Sequence, residues 1–178
     1  PVATLDGAAL TALRTPAASA VATDALARSD SESLGVVGSG PQALAHVAAM
    51  TIVRPGLRDI RVASRHHASA AKVVAALHAQ GVEAVVSTIE RALACDVVCL
   101  ATRATEPFVH AAMLRPGVHV NAIGAYTASM AELAPDAIAA LTVTVDDRHA
   151  ASVEAGDLIL ASHHGWNISH IAADLHDL

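Results

Sequence analysis

The sequence predicts an α/β protein built on a doubly wound, mostly parallel sheet with helices on both faces. Three observations predict it. Short apolar runs alternate with helix-compatible segments along most of the 178 residues, the pattern of repeated β-α-β units. Hydrophobic residues make up 53% of the chain but aromatic ones only 2%, so the core is assembled from Ala, Val, Leu and Ile, which suit buried parallel strands and closely packed helices. Finally, an apolar run ends in Gly38-Ser39-Gly40-Pro41-Gln42-Ala43 and an apolar helical segment follows, the strand, glycine turn and helix of a dinucleotide-binding unit. The length fits one domain large enough to bury a substantial core.

Taken in order, the chain opens with an Ala-rich helix. Thr15 is its expected N-cap and Pro16 its first helical position, where a missing N–H costs nothing; the helix is expected to end near Arg28. Ser29-Asp30-Ser31-Glu32-Ser33 is a polar link into the first strand, Leu34–Val37, and helix Gln42–Val53 follows the glycine turn. Further strands are expected at Ile60–Ala63, Glu83–Val86, Asp96–Ala101, Val118–Ile123 and Thr142–Val145. Helices are expected at Ala68–Gln80, Ile89–Ala94, Val109–Met113 and Asp136–Leu141. Gly81 suits the C-terminal cap of the first of these four, and Thr88 the N-cap of the second.

Each residue of the glycine turn has a physical task. Gly38 permits the sharp turn off the strand, Gly40 lets a pyrophosphate approach the backbone, and small Ala43 lets helix and strand pack closely. N–H groups at the N-terminus of the new helix then face the phosphates, favoured by the macrodipole. The end of the second strand selects the cofactor. An NAD-specific site places an acid there for the ribose 2′-hydroxyl, whereas this chain reads Ala63-Ser64-Arg65-His66. Ser64 can hydrogen-bond a 2′-phosphate, and Arg65 can pair with it or stack on adenine, so NADP(H) is expected over NAD(H). Asp59 precedes the strand and cannot substitute. Thr102 and Gly124 follow the fourth and fifth strands, at the carboxyl ends where open α/β sheets bind ligands. Arg14 is read just before an N-cap, where the helix dipole disfavours a cation; a substrate carboxylate or a cofactor phosphate would account for it there.

A net charge of −6 with no cluster of Lys or Arg argues against nucleic acid as a partner. Leu34 to Val53 carries no Asp, Glu, Lys or Arg, but its glycines, Pro41, Gln42 and His46 favour a nucleotide turn over a membrane span. Cys95 and Cys99 flank a strand, which holds their Cα atoms roughly 13 Å apart, beyond the limit of about 7 Å for a disulfide. Free thiols fit a reducing cytoplasm. No signal peptide is visible, and a chain opening on Pro1 reads as a piece of a longer protein. Eleven histidines include the adjacent pairs His66-His67 and His163-His164, whose side chains diverge on a regular element. No HExxH or Cys/His ligand spacing occurs, so no metal is expected. No G-x-S-x-G nucleophile elbow occurs either.

Four motifs carry a resemblance: Leu10-Thr-Ala-Leu-Arg14-Thr15, Gly38-Ser-Gly-Pro-Gln42-Ala43, Ala101-Thr102 with Glu106-Pro107, and Asn121-Ala-Ile-Gly124 with Glu132-Leu133. In order and spacing they resemble the ornithine cyclodeaminase/mu-crystallin family over nearly the whole chain. Ala150 to Leu158, with Glu154-Ala-Gly156-Asp157, resembles a fifth motif. The resemblance implies an NAD(P)-dependent homodimer with a Rossmann domain and a separate substrate and dimerisation domain built largely from upstream sequence. On that pattern residues 1–14 lead in from the second domain, which is missing here, and residues 15–178 are the NAD(P)-binding domain. By position, Arg14 resembles the arginine that meets the substrate carboxylate and the cofactor. Pro41 and Gln42 lie on the pyrophosphate loop, and Ser64-Arg65-His66 resembles the Asn-Arg-Thr segment of NADPH-binding members. Thr102, Ile123 and Gly124 match cofactor contacts.

One departure bears on the chemistry. Family cyclodeaminases resemble Gly-Gly-Asp-x-Pro-Gly-Lys in this region, with a catalytic aspartate, whereas the chain reads Gly124-Ala125-Tyr126-Thr-Ala-Ser129-Met130. Tyr126 replaces the acid and Met130 the lysine. Tyrosine, with an ordinary pKa of about 10, is a poor base at neutral pH. The expectation is therefore an NADP(H)-dependent reductase of a small 2-imino or 2-oxo acid, with cyclic imines of the pyrroline-2-carboxylate type favoured. Arg14 would hold the carboxylate, and Tyr126 is the candidate catalytic residue. Ornithine cyclodeaminase itself and a non-catalytic, NADPH-dependent small-ligand binder are the alternatives.

Overall fold

The computed structural model describes residues 2–177. The chain enters through α1 (Gly7–Leu26), capped by Asp6, whose carboxylate accepts from the N–H groups of Ala8 at 2.8 Å and Ala9 at 3.2 Å. Thr15 is thus not the N-cap, and Pro16 lies inside the helix. The Ala- and Leu-rich first turns and the aspartate cap outweigh the loss at Pro16, about 3 kcal/mol for a proline in a helix interior. The remaining elements are β1 (Ser33–Val37), α2 (Pro41–Val53), β2 (Asp59–Ala63), α3 (His67–Ala79), β3 (Val85–Val86), α4 (Ile89–Leu93), β4 (Val97–Leu100), β5 (His119–Ala122), α5 (Pro135–Ala140), β6 (Thr144–Val145), α6 (Arg148–Glu154), α7 (Gly156–His163) and β7 (Ala173–Asp174).

Five strands form one parallel sheet in the order β3-β2-β1-β4-β5. The chain winds outward in one direction from β1, then crosses back to β4, so the sheet is doubly wound about the β1/β4 seam. Alternation along the central strands divides the core in two. Leu34 and Val36 of β1, with Val97 and Cys99 of β4, join residues of α1, α2 and α3 such as Ala20, Val47, Met50 and Val73. Val37, Val98 and Leu100 join Leu93, Ile138 and Leu158 of α4, α5 and α7 on the opposite face. Gly35 is required in β1 because a β-carbon there would strike the Ala92 carbonyl of α4.

Two expectations fail where tertiary pairing overrides local pattern. Val109–Met113 is not an α-helix: Val109 makes a parallel bridge to Leu133, and only Ala111–Met113 forms a 3-10 turn. The last expected strand survives only as β6, which pairs with β7 in a separate two-stranded sheet. Helices α6 and α7 were not anticipated. The other two capping expectations hold: Thr88 Oγ1 accepts from the Arg91 N–H at 3.3 Å, and Gly81, just past α3, has φ +77°. Cys95 and Cys99 are free and buried. Among the described residues no helix is long and apolar enough to cross a membrane.

Candidate functional site

The carboxyl ends of β1, β2, β4 and β5 form one rim. At its centre Gly38 has φ +144°, and a β-carbon would run into the Ala101 carbonyl beyond β4. Its N–H donates to the Ala63 carbonyl at the end of β2, 2.9 Å away. The turn is thus pinned between its two neighbours. At Gly40, by contrast, a β-carbon would meet nothing within 4 Å. Pro41 opens α2, which has no side-chain cap and no acid in its first turn. Open space before an uncapped helix N-terminus is the geometry an anionic phosphate needs, so these residues fit a dinucleotide. Ala43 is fully buried against the sheet.

Helix α1 braces this turn from behind. The Gln42 side-chain N–H donates to the Thr11 carbonyl at 3.4 Å, while its Oε1 is buried without a partner among the described residues. One turn on, His46 is fully buried between the Gln42 carbonyl (Nδ1, 2.8 Å) and Ser19 Oγ (Nε2, 3.1 Å). Burial pulls its pKa below 6.5, outweighing the hydrogen bond to the Gln42 carbonyl, which favours a neutral imidazole behind the turn.

On the β2 side, Ser64 Oγ lies 3.3 Å from Ser39 Oγ, so the two hydroxyls join the first and second strand ends. Arg65 and His66 are exposed, and Arg65 makes no ion pair among the described residues. On the other side, Ile123 continues the ladder by donating its N–H to the Leu100 carbonyl at 3.0 Å. Thr102 and Gly124 are drawn together by a residue whose part the sequence did not disclose. Glu132 is fully buried; its Oε1 accepts from the Thr102 N–H at 2.7 Å and its Oε2 from the Gly124 N–H at 2.8 Å. Asp157, at the start of α7, in turn accepts from the N–H groups of Glu132 at 2.6 Å and Leu133 at 3.0 Å. Lone acids inside the apolar stretches Met130-Ala-Glu132-Leu-Ala and Gly156-Asp157-Leu-Ile-Leu are the signal that could have marked both as buried.

Tyr126 lies on the loop after β5 and is 62% exposed. Arg14 is not at a helix terminus but within α1, so the dipole argument for it falls. Its guanidinium pairs instead with Asp146, just after β6, at 2.7 Å, both side chains being largely open to solvent. Gly38, Gly40, Ser64, Thr102, Ile123 and Gly124 therefore share one rim, while Tyr126 and Arg14 stand on neighbouring segments. Two surface depressions flank Trp166, beside α7, and neither is lined by the glycine turn. Among the described residues no three His, Cys, Asp or Glu groups are placed to share a metal ion.

Comparison with known proteins bears on the fold and the family. The chain is 34% identical over 161 residues to ketimine reductase mu-crystallin of Mus musculus, covering 90% of this chain and 50% of that protein. It is 34% identical over 181 residues to Delta(1)-pyrroline-2-carboxylate reductase of Paracoccus denitrificans, covering 99% of this chain and 57% of that one. Delta(1)-pyrroline-2-carboxylate reductase of Thermococcus litoralis, solved with NADH and L-proline, superposes with a TM-score of 0.91 at 31% identity, over 97% of this chain and 54% of that one. The chain thus spans about half the length of the curated relatives it matches. The sequence profile that describes the Ornithine cyclodeaminase/mu-crystallin family matches residues 1–175, and the chain belongs to that family.

Proposed function

We propose that this chain is the NADP(H)-binding part of a cytoplasmic reductase of small cyclic 2-imino acids, pyrroline-2-carboxylate being the representative substrate. The working form would be a homodimer assembled through a substrate domain to which residues 1–14 lead. Tyr126 is the observation that carries imine reduction over cyclisation: it stands where family cyclodeaminases resemble a catalytic aspartate. The mouse and Paracoccus relatives, named for ketimine and pyrroline-2-carboxylate reduction, support the same reading.

Gly38, Gly40, Pro41 and Gln42 would hold the pyrophosphate, and Thr102, Ile123 and Gly124 the nicotinamide end. Ser64 and Arg65, with His66 beside them, would take the 2′-phosphate. The Thermococcus relative was solved with NADH, so the preference for NADPH rests on this chain's own Ser64 and Arg65. Bound there, the reduced nicotinamide supplies the hydride for the imine carbon. Arg14 would exchange Asp146 for the substrate carboxylate, a charge-assisted bond on a planar fork. The proton for the imine nitrogen would come from the Tyr126 hydroxyl or from a group of the substrate domain.

A steady-state assay of the intact protein with pyrroline-2-carboxylate, ornithine and alanine tests this. NADPH consumption with the cyclic imine is expected. Tight NADPH binding with no turnover of any of the three would instead favour a non-catalytic binder.

A further inference from the structure

Glu132 has more bonded neighbours than any bland role requires. Its carboxylate spans the loops after β4 and β5 through Thr102 and Gly124. Its main-chain carbonyl accepts from the N–H groups of Phe108 and Val109, each at 3.0 Å, and its own N–H is held by Asp157. There is no slack: a β-carbon on Gly124 would overlap the Glu132 carboxyl group. No Lys, Arg or His pairs with Glu132 among the described residues, so only the Thr102 and Gly124 N–H groups and the Thr102 hydroxyl answer a fully buried charge. Such a charge is costly to keep, and an apolar residue would fill the space more cheaply.

We propose that Glu132 is a positioning residue that locks the loops after β4 and β5 into one unit, so that Thr102 and Gly124 present a single edge to the nicotinamide end of the cofactor. The cofactor half of this statement rests on the reading of those loops given above. A single carboxylate accepts from both N–H groups at once; protonation turns one of its oxygens into an O–H donor and weakens that loop's bond.

The group is poised for this. Burial raises the Glu132 pKa to about 7, opposed by the Thr102 and Gly124 hydrogen bonds and assisted by the negative charge of Asp157. Asp157, on α7, is the titratable group that faces it. Arg103, Glu106 and Tyr126 on the two clamped loops are exposed, and Asp136 of α5 is engaged with His110 and the Ala111 N–H. Raised from 4.5, this pKa means the folded protein binds more protons than the unfolded chain between pH 4.5 and about 7. Global stability therefore falls with rising pH across that window, while the clamp tightens.

Amide NMR of the cofactor-free intact protein provides the test. The Thr102 and Gly124 N–H resonances are expected to titrate together with one midpoint near pH 7, and both to stop titrating in Glu132→Gln. That variant keeps one acceptor oxygen but presents an N–H to the other loop, so NADPH and NADH should each bind about tenfold more weakly. Resonances that stay fixed between pH 5.5 and 8.5, or that titrate with separate midpoints, overturn the proposal. So does a folded Glu132→Gln that binds both cofactors like the wild type. If Glu132→Gln does not fold, the wild-type titration decides alone. A wild-type protein that binds neither cofactor would refute the cofactor reading and leave the coupled titration to stand or fall by itself.

Discussion

A β-carbon is expected to fail in two different ways at Gly40 and at Gly38. Nothing surrounds the Gly40 position, so Gly40→Ala should change stability by less than about 1 kcal/mol. The same carbon occupies the space a pyrophosphate needs, and NADPH binding should weaken at least tenfold, about 1.4 kcal/mol. Gly38→Ala adds backbone strain at φ +144° and a collision with Ala101, so it should also unfold more easily, by about 1–3 kcal/mol. Thermal unfolding without cofactor and calorimetry with it separate the two; a Gly40→Ala protein that binds NADPH normally would remove phosphate from this turn. Arg65 gives a second test. NADPH should bind at least tenfold more tightly than NADH, and Arg65→Ala should erase most of the difference, whereas equal affinities in the unmodified protein would refute the assignment. Gly38, Gly40, Ser64, Thr102 and Gly124 could be found in the sequence because their spacing from a strand end fixes their place. Glu132 could not be assigned a part, since its partners are backbone N–H groups, which every sequence offers and none marks.

Strands β1 and β4 are joined at their amino ends by one side chain, Asp96. Its Oδ2 accepts from the N–H groups of Glu32 at 3.1 Å and Ser33 at 3.0 Å, and from the Ser33 hydroxyl at 2.6 Å. Arg115 pairs with Oδ1 at 3.0 Å. Burial pushes the Asp96 pKa up, but the hydrogen bonds from Ser33 and Glu32 and the Arg115 charge outweigh it and hold it below 3.8. With the folded value depressed, its stabilisation is present above pH 3.8 and is lost as pH falls through the folded value. Asp96→Ala is therefore expected to cost about 3 kcal/mol in urea unfolding at pH 7, and the cost should shrink in strong acid; an unchanged cost at low pH would refute the linkage. Elements with local signals were readable in this way before any fold was known: the alternating strands, the glycine turn, the Thr88 cap. Misreadings fell where distant partners decide. Val109 is pinned by backbone bonds to Glu132 and Ala134, which no local pattern around Pro107 announces. At α1, the cue of Thr15-Pro16 was real but weaker than the Asp6 cap and the alanines behind it.

The doubly wound sheet places the candidate cofactor rim and the loop of Tyr126 at one end of the molecule, and on the proposed function that loop bears on the choice between reduction and cyclisation. Two of its positions depart from the cyclodeaminase pattern, and they differ in environment. Tyr126 is exposed, whereas Met130 is buried, donates its N–H to the Thr127 carbonyl at 3.0 Å, and has its own carbonyl packed against Gly156 of α7. Tyr126→Asp should therefore leave thermal stability within about 0.5 kcal/mol of the wild type. It should release no ammonia from ornithine, because the lysine position remains apolar. Met130→Lys should lose about 2 kcal/mol or more, since an ammonium has no partner waiting at that depth. A cyclodeaminase returns the hydride it removes and needs only trace NAD, while a reductase consumes NADPH in step with its imine. The unmodified protein is expected to oxidise one NADPH for each pyrroline-2-carboxylate reduced. Proline and ammonia formed from ornithine with trace NAD by the unmodified protein would show that another residue supplies the acid and that the loop does not decide the reaction; formed by Tyr126→Asp alone, they would show that the acid suffices without the lysine.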